Sequence, residues 1–369
     1  MKLTFPHMGN AYIPLQTFFE LLDISVIVPP KCSNKTLELG VKHSPEFACL
    51  PLKINIGNFI EAFEIGADTI VMAGGVGPCR FGYYGEVQKE ILSSLGYKFE
   101  MIILEPPQGH FFELIRRFNS LVNKNKNTFK DVFNAGKLAW QKALLLDKLE
   151  RLACKSRPVQ IENITDDVYQ AAINLIKKAS SEYDIVNVDK KIKKMFSDIP
   201  CKKNTNPPRI AIVGEIYTVL EPFVNQNIEI ELGRLGAEVH RSIYITDWVK
   251  ENLFPSFLKP RHHKKILELA KPYINCFVGG HGQETVAQTI KYLKEGFQGV
   301  IQLLPFTCMP EIVAKSVLPH ISRTNGFPVM TLVLDEHSAE TGIKTRLEAF
   351  VDMIIYKREA DFNEMLARN

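Results

Sequence analysis

The sequence predicts an α/β protein made of two facing Rossmann-like parallel-sheet domains with a helical insert between them. Short apolar strands alternate with amphipathic helices at both ends of the chain, a pattern typical of parallel sheets covered on both faces. A length of 369 residues exceeds one ordinary core. We therefore expect an N-terminal α/β domain at 1–108, a mainly helical segment at 109–204 and a C-terminal α/β domain at 205–369.

In the first domain, glycine and proline bound the apolar runs that predict strands and helices. We expect strands over 3–6, 24–28, 69–73 and 99–104, and helices over 14–22, 54–65 and 84–95.

The middle segment has apolar residues at helical spacing, and the last segment returns to α/β alternation. We expect middle helices over 111–122, 129–152 and 166–181, and a polar linker over 202–208. In the last domain we expect strands over 210–213, 237–245, 276–278, 300–304 and 329–334, and helices over 285–293, 310–320 and 345–356.

The two α/β segments look like loose copies of each other. A strand followed by Gly9-x-x-Tyr12 is echoed by a strand followed by Gly214-x-x-Tyr217. Likewise, strand, turn and Cys79 are echoed by strand, turn and Cys308. If the segments are copies, the carboxyl ends of both sets of strands converge on one crevice, the usual ligand position in open α/β sheets.

Composition excludes several classes of protein. With 46% hydrophobic and 23% charged residues, the chain has a globular composition, and a net charge of +4 is too small to indicate nucleic-acid binding. We expect no membrane span, because no apolar run approaches the roughly 20 residues required. The N-terminus lacks the layout of a signal peptide, so we expect a cytoplasmic protein. Its seven cysteines then favour metal or redox roles over disulfides.

Three of the cysteines have similar sequence surroundings. Cys49 and Cys308 each lie in Phe-x-Cys-x-Pro ahead of an apolar helix, and Cys79 follows a strand and precedes a helix. The start of a helix favours the thiolate form. Three such thiols at one sheet edge are placed to share a metal, and sulfur-only ligation indicates iron–sulfur or zinc.

Other interpretations of these thiols stay open. Each is also explained as a small buried hydrophobe, and the Cys-x-x-Cys pairs usual in structural zinc sites are missing. We expect structural roles for Cys32, Cys154, Cys201 and Cys276. Cys276 is the least settled of the four, because its loop is expected near the same crevice.

Several runs carry a family resemblance. They are residues 44–53 around Cys49, 73–86 around Cys79, 279–284, 304–311 around Cys308, 335–342 and 345–350. These runs resemble the 2-hydroxyacyl-CoA dehydratase component family, which includes benzoyl-CoA reductase-type subunits and double-cubane cluster proteins. They are most similar to its CoA-enzyme activase-related members. The resemblance spans both α/β segments and is weakest in the middle segment.

This resemblance implies a [4Fe–4S] cluster held by Cys49, Cys79 and Cys308, or an [8Fe–9S] double cubane. It also implies a low-potential electron from a separate ATP-hydrolysing activator with its own [4Fe–4S] cluster. The chain would use that electron to reduce or dehydrate a small substrate, with an acyl-CoA as one candidate. A homodimer, or a dimer with a related subunit, is implied as well. Because the chain has no Gly-x-x-x-x-Gly-Lys-Ser/Thr loop, we expect it to receive the electron rather than hydrolyse ATP.

Two further hypotheses remain beside the enzyme. One is a non-catalytic cluster carrier or scaffold partner in the same kind of system. The other is a zinc-binding structural protein with four closed ligands.

Some polar residues and glycines are candidates for supporting roles. Arg80 and the amides of Gly75 and Gly77 would offset the negative charge of a reduced cluster, although Arg80 also suits a surface ion pair. His281, in a Gly-Gly-His-Gly turn that also suits phosphate, is a candidate proton donor or simply a turn residue.

Asp335, Glu336 and His337 follow a predicted strand at the sheet edge that carries the cysteines. Carboxylates and an imidazole there suit acid–base catalysis. Asp335 is equally suited to capping the next helix.

Overall fold

The fold contains two four-stranded parallel sheets with the same strand order. The structure is a computed structural model, and it describes residues 1–75, 77–104, 127–203, 205–252 and 261–367. The first sheet runs β2-β1-β3-β4 and the second β6-β5-β7-β8. The strands are β1 (Lys2–Thr4), β2 (Ser25–Val26), β3 (Thr69–Ala73), β4 (Glu100–Leu104), β5 (Arg209–Gly214), β6 (Glu238–Arg241), β7 (Gly299–Pro305) and β8 (Val329–Leu334). The predicted α/β class with two Rossmann-like sheets is thus confirmed.

In each sheet the first and third strands along the chain lie side by side. The second strand is added on one side of this pair and the fourth on the other, so the strand order reverses there. Leu3 in β1 lies opposite Thr69 in β3, and Ile210 in β5 lies opposite Gly299 in β7. Such a switch point is where open α/β sheets bind ligands, outside the carboxyl ends of the strands.

Helices cover the sheets and form a layer of their own in the middle of the chain. The α-helices are Tyr12–Glu20, Asn34–His43, Leu50–Glu64, Tyr84–Ser94, Phe129–Ser156, Thr165–Lys178, Glu182–Ser197, Ile216–Leu220, Ile228–Arg234, Ile245–Asn252, Arg261–Glu268, Gly282–Lys294, Met309–Asn325 and Glu340–Ala367. None of the helices in these described stretches has the length and apolar character needed to cross a membrane.

The structure differs from the predicted elements in a few places. Residues 276–278 form no strand, because they lead into two glycines with positive φ, Gly279 and Gly280. The strand predicted over 237–245 ends at Arg241, since a helix begins at Ile245. Six helices of the described residues lie outside the predicted helix spans: Asn34–His43, Glu182–Ser197, Ile216–Leu220, Ile228–Arg234, Ile245–Asn252 and Arg261–Glu268. The predicted helix over 111–122 and the predicted domain boundaries at 108 and 204 lie outside the described residues.

Capping boxes begin three of the helices. The side chains of Ser33, Thr128 and Ser181 each accept from a backbone N–H three residues later, and that later side chain accepts in return. The arrangement satisfies two amides that a helix start otherwise leaves free. Two of these boxes sit in the middle segment, where they set the helix starts.

Helix Leu50–Glu64 is buried over most of its surface. Its side chains Ile54, Ile56 and Phe59 have no exposed surface. Burying each of them stabilises the fold by about 1.5–3 kcal/mol. Because this helix begins directly after Cys49, the position of that thiol is fixed by a large part of the core.

The long helix Phe129–Ser156 contacts both halves of the molecule. Lys142 Nζ donates to Thr17 Oγ1 at 3.0 Å in the N-terminal half. Asp147 Oδ2 accepts from the backbone N–H of Thr246 at 3.1 Å in the C-terminal half. Both charged side chains are buried, so the helix connects the halves through polar contacts within the core.

Candidate functional site

The candidate site begins with three cysteines that immediately precede helices. Cys49 is the N-cap of helix Leu50–Glu64, and Cys308 is the N-cap of helix Met309–Asn325, each with a proline in the first turn. Cys79 precedes the 3₁₀ helix Arg80–Tyr83. Cys79 follows β3 and Cys308 follows β7, which occupy the same place in their two sheets. The predicted echo between these two turns therefore has a structural counterpart.

The fold brings these three turns close together. The thiol of Cys49 interacts electrostatically with that of Cys79, and the thiol of Cys308 with that of Cys49. A Cβ added at Gly280 would lie 3.6 Å from Cys79 Sγ and 3.2 Å from Pro310 Cγ. The glycine turn before helix Gly282–Lys294 thus fits between the Cys79 turn and the Cys308 helix.

Arg80 connects the turns through hydrogen bonds. Its Nη1 donates to the carbonyl of Phe47 at 2.8 Å, and its Nη2 donates to Thr307 Oγ1 at 2.8 Å and to the carbonyl of Thr307. Thr307 Oγ1 in turn donates to the Phe47 carbonyl at 3.1 Å. One guanidinium therefore joins the chain ahead of Cys49 to the chain ahead of Cys308.

Burial dominates the electrostatics of the three thiols. It raises the pKa of Cys49, Cys79 and Cys308, and the carboxylate of Glu215 adds to each increase. Arg80 opposes the rise in pKa at Cys49 and Cys79. The helix starts were expected to favour the thiolate form, whereas burial raises the pKa of all three thiols because the loss of solvent outweighs the effect of the helix ends.

Two buried carboxyl groups of the C-terminal half lie near the thiols. Glu215 follows β5 and caps helix Ile216–Leu220, accepting from the N–H groups of Tyr217 and Thr218 at 2.9 Å each. Burial raises the pKa of Glu215 above its usual range. The carboxyl of Glu215 interacts electrostatically with all three thiols, so it lies near each of them.

Glu311 is fully buried three residues after Cys308. Its carboxylate accepts from Thr285 Oγ1 at 2.9 Å and from Gln302 Nε2 at 2.8 Å. Burial raises the pKa of Glu311 to about 7. Sequence reasoning missed this residue, although an acid in the first turn of the helix after Cys308 was a visible signal.

Tyr84 was also missed. It is buried, and its hydroxyl contacts Cys49 Sγ. Its ring packs edge-on against Phe81, with ring centroids 5.4 Å apart. The hydroxyl gives the Cys49 thiol a polar partner inside the apolar core.

The predicted glycines permit close approach of other groups. A Cβ at Gly75 would lie 2.6 Å from the ring of Phe81, and one at Gly77, where φ is +102°, would lie 2.7 Å from the ring of Phe277. Phe277 adjoins the exposed Cys276, so the loop of Cys276 faces the Cys79 turn. Of the other cysteines, Cys32 and Cys154 are buried and Cys201 is exposed.

His281 is the N-cap of helix Gly282–Lys294, with Nε2 3.7 Å from Glu284 Oε2. Both side chains line a cleft of about 370 Å³ of empty space, including open solvent, that also reaches Gly214 and Trp248. The cleft therefore opens at the carboxyl end of β5, beside the glycine turn that contacts Cys79.

Asp335, Glu336 and His337 follow β8, at the sheet edge that carries Cys308. Asp335 Oδ1 accepts from the N–H of His337 and from Ser338 Oγ, each at 2.9 Å. Glu336 forms an ion pair with the buried Lys53 of the other half. Asp335 thus acts as a turn cap, and the acid–base roles of the three residues remain predictions.

The spacing of the thiols bears on which metal group they suit. Within the described ranges, one group of three His, Cys, Asp or Glu has its ligand atoms all within 4.8 Å of one another, and it does not include Cys49, Cys79 or Cys308. Sulfurs about 2.3 Å from one zinc would lie about 4 Å apart. The sulfurs of Cys49, Cys79 and Cys308 are not all within 4.8 Å of one another, so as they stand they do not have the spacing of three ligands to a single zinc ion.

Comparison with protein families gives a match near the N-terminal end of the chain. Residues 7–72 match the family described as CoA enzyme activase uncharacterised domain (DUF2229). The match includes Cys49 and ends before Cys79 and Cys308. No curated protein matches the chain.

Proposed function

We propose that the chain is an iron–sulfur protein of the 2-hydroxyacyl-CoA dehydratase type. It would receive a low-potential electron from a separate ATP-dependent activator and reduce or dehydrate a small substrate. The observation that supports the proposal is that the thiols of Cys49, Cys79 and Cys308, at helix starts in both halves, interact with one another. The match of residues 7–72 to a CoA enzyme activase-related domain supports the same broad assignment.

In this proposal the three cysteines hold a [4Fe–4S] cluster or take part in holding an [8Fe–9S] double cubane. When bound, such a cluster supplies one-electron chemistry at low potential. Arg80 contributes the positive charge that offsets a reduced, negative centre. Burial raises the pKa of Glu215, and that of Glu311 to about 7, and so opposes negative charge on these two carboxyls beside such a centre.

The substrate would enter through the cleft beside His281. The cleft is open to solvent, so most of a CoA ester would lie outside it and only the reacting end would approach His281. His281 and Glu284 are placed to bind this end and to exchange a proton with it. The ion pair with Lys53 lowers the pKa of Glu336. Glu336 is therefore better suited to accepting a proton, or to orienting the substrate, than to donating a proton.

An apolar rim around the site supports the proposed partner. The large exposed side chains on or beside the three turns and the glycine turn are Phe47, Tyr83, Phe277, Phe306 and Met309. Exposed apolar groups around a polar site are typical of a protein-binding surface. We assign this rim to the ATP-hydrolysing activator, which carries its own [4Fe–4S] cluster. A second copy of the chain, or a related subunit, would complete the dimer.

A cluster carrier or scaffold is the second candidate. The burial of Cys49 and Cys308 favours it, as does the absence of all three cysteines from the lining of the cleft beside His281. A carrier needs a protected cluster and a docking surface, and it needs no substrate pocket.

The test is strictly anaerobic purification, followed by iron and sulfide assays and EPR before and after dithionite. We expect about four irons and four sulfides per chain, or about eight irons for a double cubane. Cys49→Ser, Cys79→Ser and Cys308→Ser should each lose them, whereas Cys201→Ser, at an exposed cysteine, should not. Zinc alone, or no metal, would contradict the proposal.

A second measurement separates the enzyme from the carrier. In an enzyme, His281→Gln should keep the iron content and the EPR signal but lose turnover with activator, ATP and an acyl-CoA. A carrier should transfer its cluster or electron equally well with either residue at position 281.

A further inference from the structure

A second group of metal-ligating side chains lies away from the three cysteines. The ligand atoms of His7, Cys32 and Glu221 all lie within 4.8 Å of one another. Their relative exposures are only 4%, 9% and 3%. Within the part of the chain that the structure describes, no other set of three such residues meets this distance.

The three residues come from distant parts of the chain and from both halves. His7 follows β1, Cys32 precedes the capped start of helix Asn34–His43, and Glu221 ends helix Ile216–Leu220. The group therefore lies where the first strand of the N-terminal sheet meets the first helix after β5.

Neighbouring groups hold His7 and Glu221 in place. The imidazole of His7 stacks on the ring of Tyr12, with centroids 5.6 Å apart, and the His7 carbonyl accepts from Tyr217 Oη at 2.7 Å. Glu221 Oε2 accepts from the N–H of Gly9 at 2.7 Å and lies 3.0 Å from His7 Nδ1. Two of the three ligands are thus oriented by contacts that leave further lone pairs available.

The Cys32 thiol has only weak polar partners. Asn58 Nδ2 lies 3.5 Å and Tyr217 Oη 3.9 Å from its Sγ. An imidazole, a thiolate and a carboxylate together form a donor set that suits zinc. One divalent cation would balance the two negative charges that this set places in the core.

We propose that His7, Cys32 and Glu221 bind one divalent ion of the zinc class and thereby join the two halves. Binding would release the Cys32 thiol proton to solvent. The side chain of Asn58, whose Oδ1 accepts from the N–H of His7 at 3.3 Å, would orient the His7 segment beside the ion. Asn58 lies nine residues after Cys49 on one helix, so the two sites are about 13 Å apart along its axis.

The experiment uses the full chain and metals alone as probes. After dialysis against excess Zn²⁺ and then metal-free buffer, elemental analysis should give one more zinc in wild type than in Cys32→Ser. Co²⁺ titration should give a sulfur-to-cobalt charge-transfer band that Cys32→Ser lacks. Cys154→Ser, at another buried cysteine, should retain both signals. We expect His7→Gln to weaken Co²⁺ binding by at least about 100-fold.

Two additions keep the result unambiguous. The titration is repeated in a Cys49→Ser, Cys79→Ser, Cys308→Ser background, so that a thiol signal cannot come from the proposed cluster site. Glu221→Gln has the shape of the native side chain and still accepts from Gly9, so its loss of Co²⁺ affinity would not reflect misfolding. Equal metal content and equal cobalt spectra in wild type, Cys32→Ser and Glu221→Gln would overturn the proposal, whatever the iron assays give.

Discussion

The N-terminal and C-terminal sheets have one strand order but supply different chemistry where they meet. The N-terminal half contributes Cys49, Cys79 and the cation Arg80. The C-terminal half contributes Cys308 together with the buried acids Glu215 and Glu311. A repeated architecture has thus become asymmetric in its side chains, so neither half contains the whole site.

The turns that follow β3 and β7 differ in the length and burial of the strand and helix on either side. β7 is buried along all seven residues and runs into the 17-residue helix after Cys308. β3 has five residues, and the helix after Cys79 is a four-residue 3₁₀ turn. Cys308 is accordingly buried and Cys79 partly exposed. The Cys79 turn is therefore the side from which solvent reaches the thiols.

Glycine substitutions at the two first-strand turns should have the largest effects. A Cβ at Gly9 would lie 2.4 Å from the carbonyl oxygen of Leu220 in the other half, whereas one at Gly214 would lie 2.1 Å from that of Leu303 in its own sheet. Both glycines also have positive φ. We expect Gly9→Ala and Gly214→Ala each to destabilise the fold by about 4 kcal/mol or more, measured by urea unfolding.

The comparison between halves predicts different consequences for these two variants. Gly9→Ala should loosen the contact between halves and raise hydrogen exchange at His7 and Gly9. Gly214→Ala should raise exchange within β5 and β7. Gly96→Ala is the control, because φ is +87° there and nothing lies within 4 Å of the added carbon, so about 1–2 kcal/mol is expected. Equal losses for all three glycines would contradict this account.

The sequence was sufficient to predict the repeated sheets because burial on both faces leaves a strong apolar signal. β7 and β3 were recognisable for that reason, and so were the helix starts after Cys49 and Cys308, each marked by a proline. Residues 276–278 were misleading, because a short apolar run can end in a glycine turn as well as in a strand.

Contacts between halves other than the approach of the three cysteines were beyond prediction from one sequence. Nothing local to Lys53 or Glu336 indicates that they pair across 283 positions. The same holds for His7, Cys32 and Glu221, whose grouping depends on how the sheets face each other. Burial also reversed the expected effect of the helix starts on the thiols, since desolvation follows from tertiary structure alone.

Lys53→Met should have the next largest effect. Lys53 is 2% exposed, and it pairs with the partly exposed Glu336 of the other half. Removing one partner of a buried pair costs about 3–5 kcal/mol, and we expect about 3 here because Glu336 retains some water. Lys53→Met with Glu336→Gln should recover part of the loss in a double-mutant cycle of urea unfolding.

The Lys53–Glu336 pair should also depend on pH. The ion pair with Lys53 holds the pKa of Glu336 below its usual value although burial opposes this. The stability it contributes is therefore present above the ordinary glutamate pKa and is lost as pH falls through the lowered one. Wild type and the double variant should converge in acid. A difference that stays constant down to pH 3 would show that packing, rather than charge, joins the halves here.

The long helix Phe129–Ser156 contacts the N-terminal half through Lys142 and the C-terminal half through Asp147. Asp147→Asn tests the second contact, and we expect a smaller change in stability than for the variants above. Burial, assisted by Glu150, raises the pKa of Asp147 to about 6. Between pH 4.5 and 6 the folded state keeps a proton that the unfolded state loses, so this group's contribution to stability falls as pH rises and is constant above. From pH 4.5 to 7, wild type should lose about 2 kcal/mol relative to Asp147→Asn in urea unfolding. Lys142→Met, on the same helix but facing the N-terminal half, leaves Asp147 in place and should therefore parallel wild type. Parallel curves for wild type and Asp147→Asn would mean that the pKa of Asp147 is the same in the folded and unfolded protein, and that the C-terminal half accommodates the charge that burial disfavours.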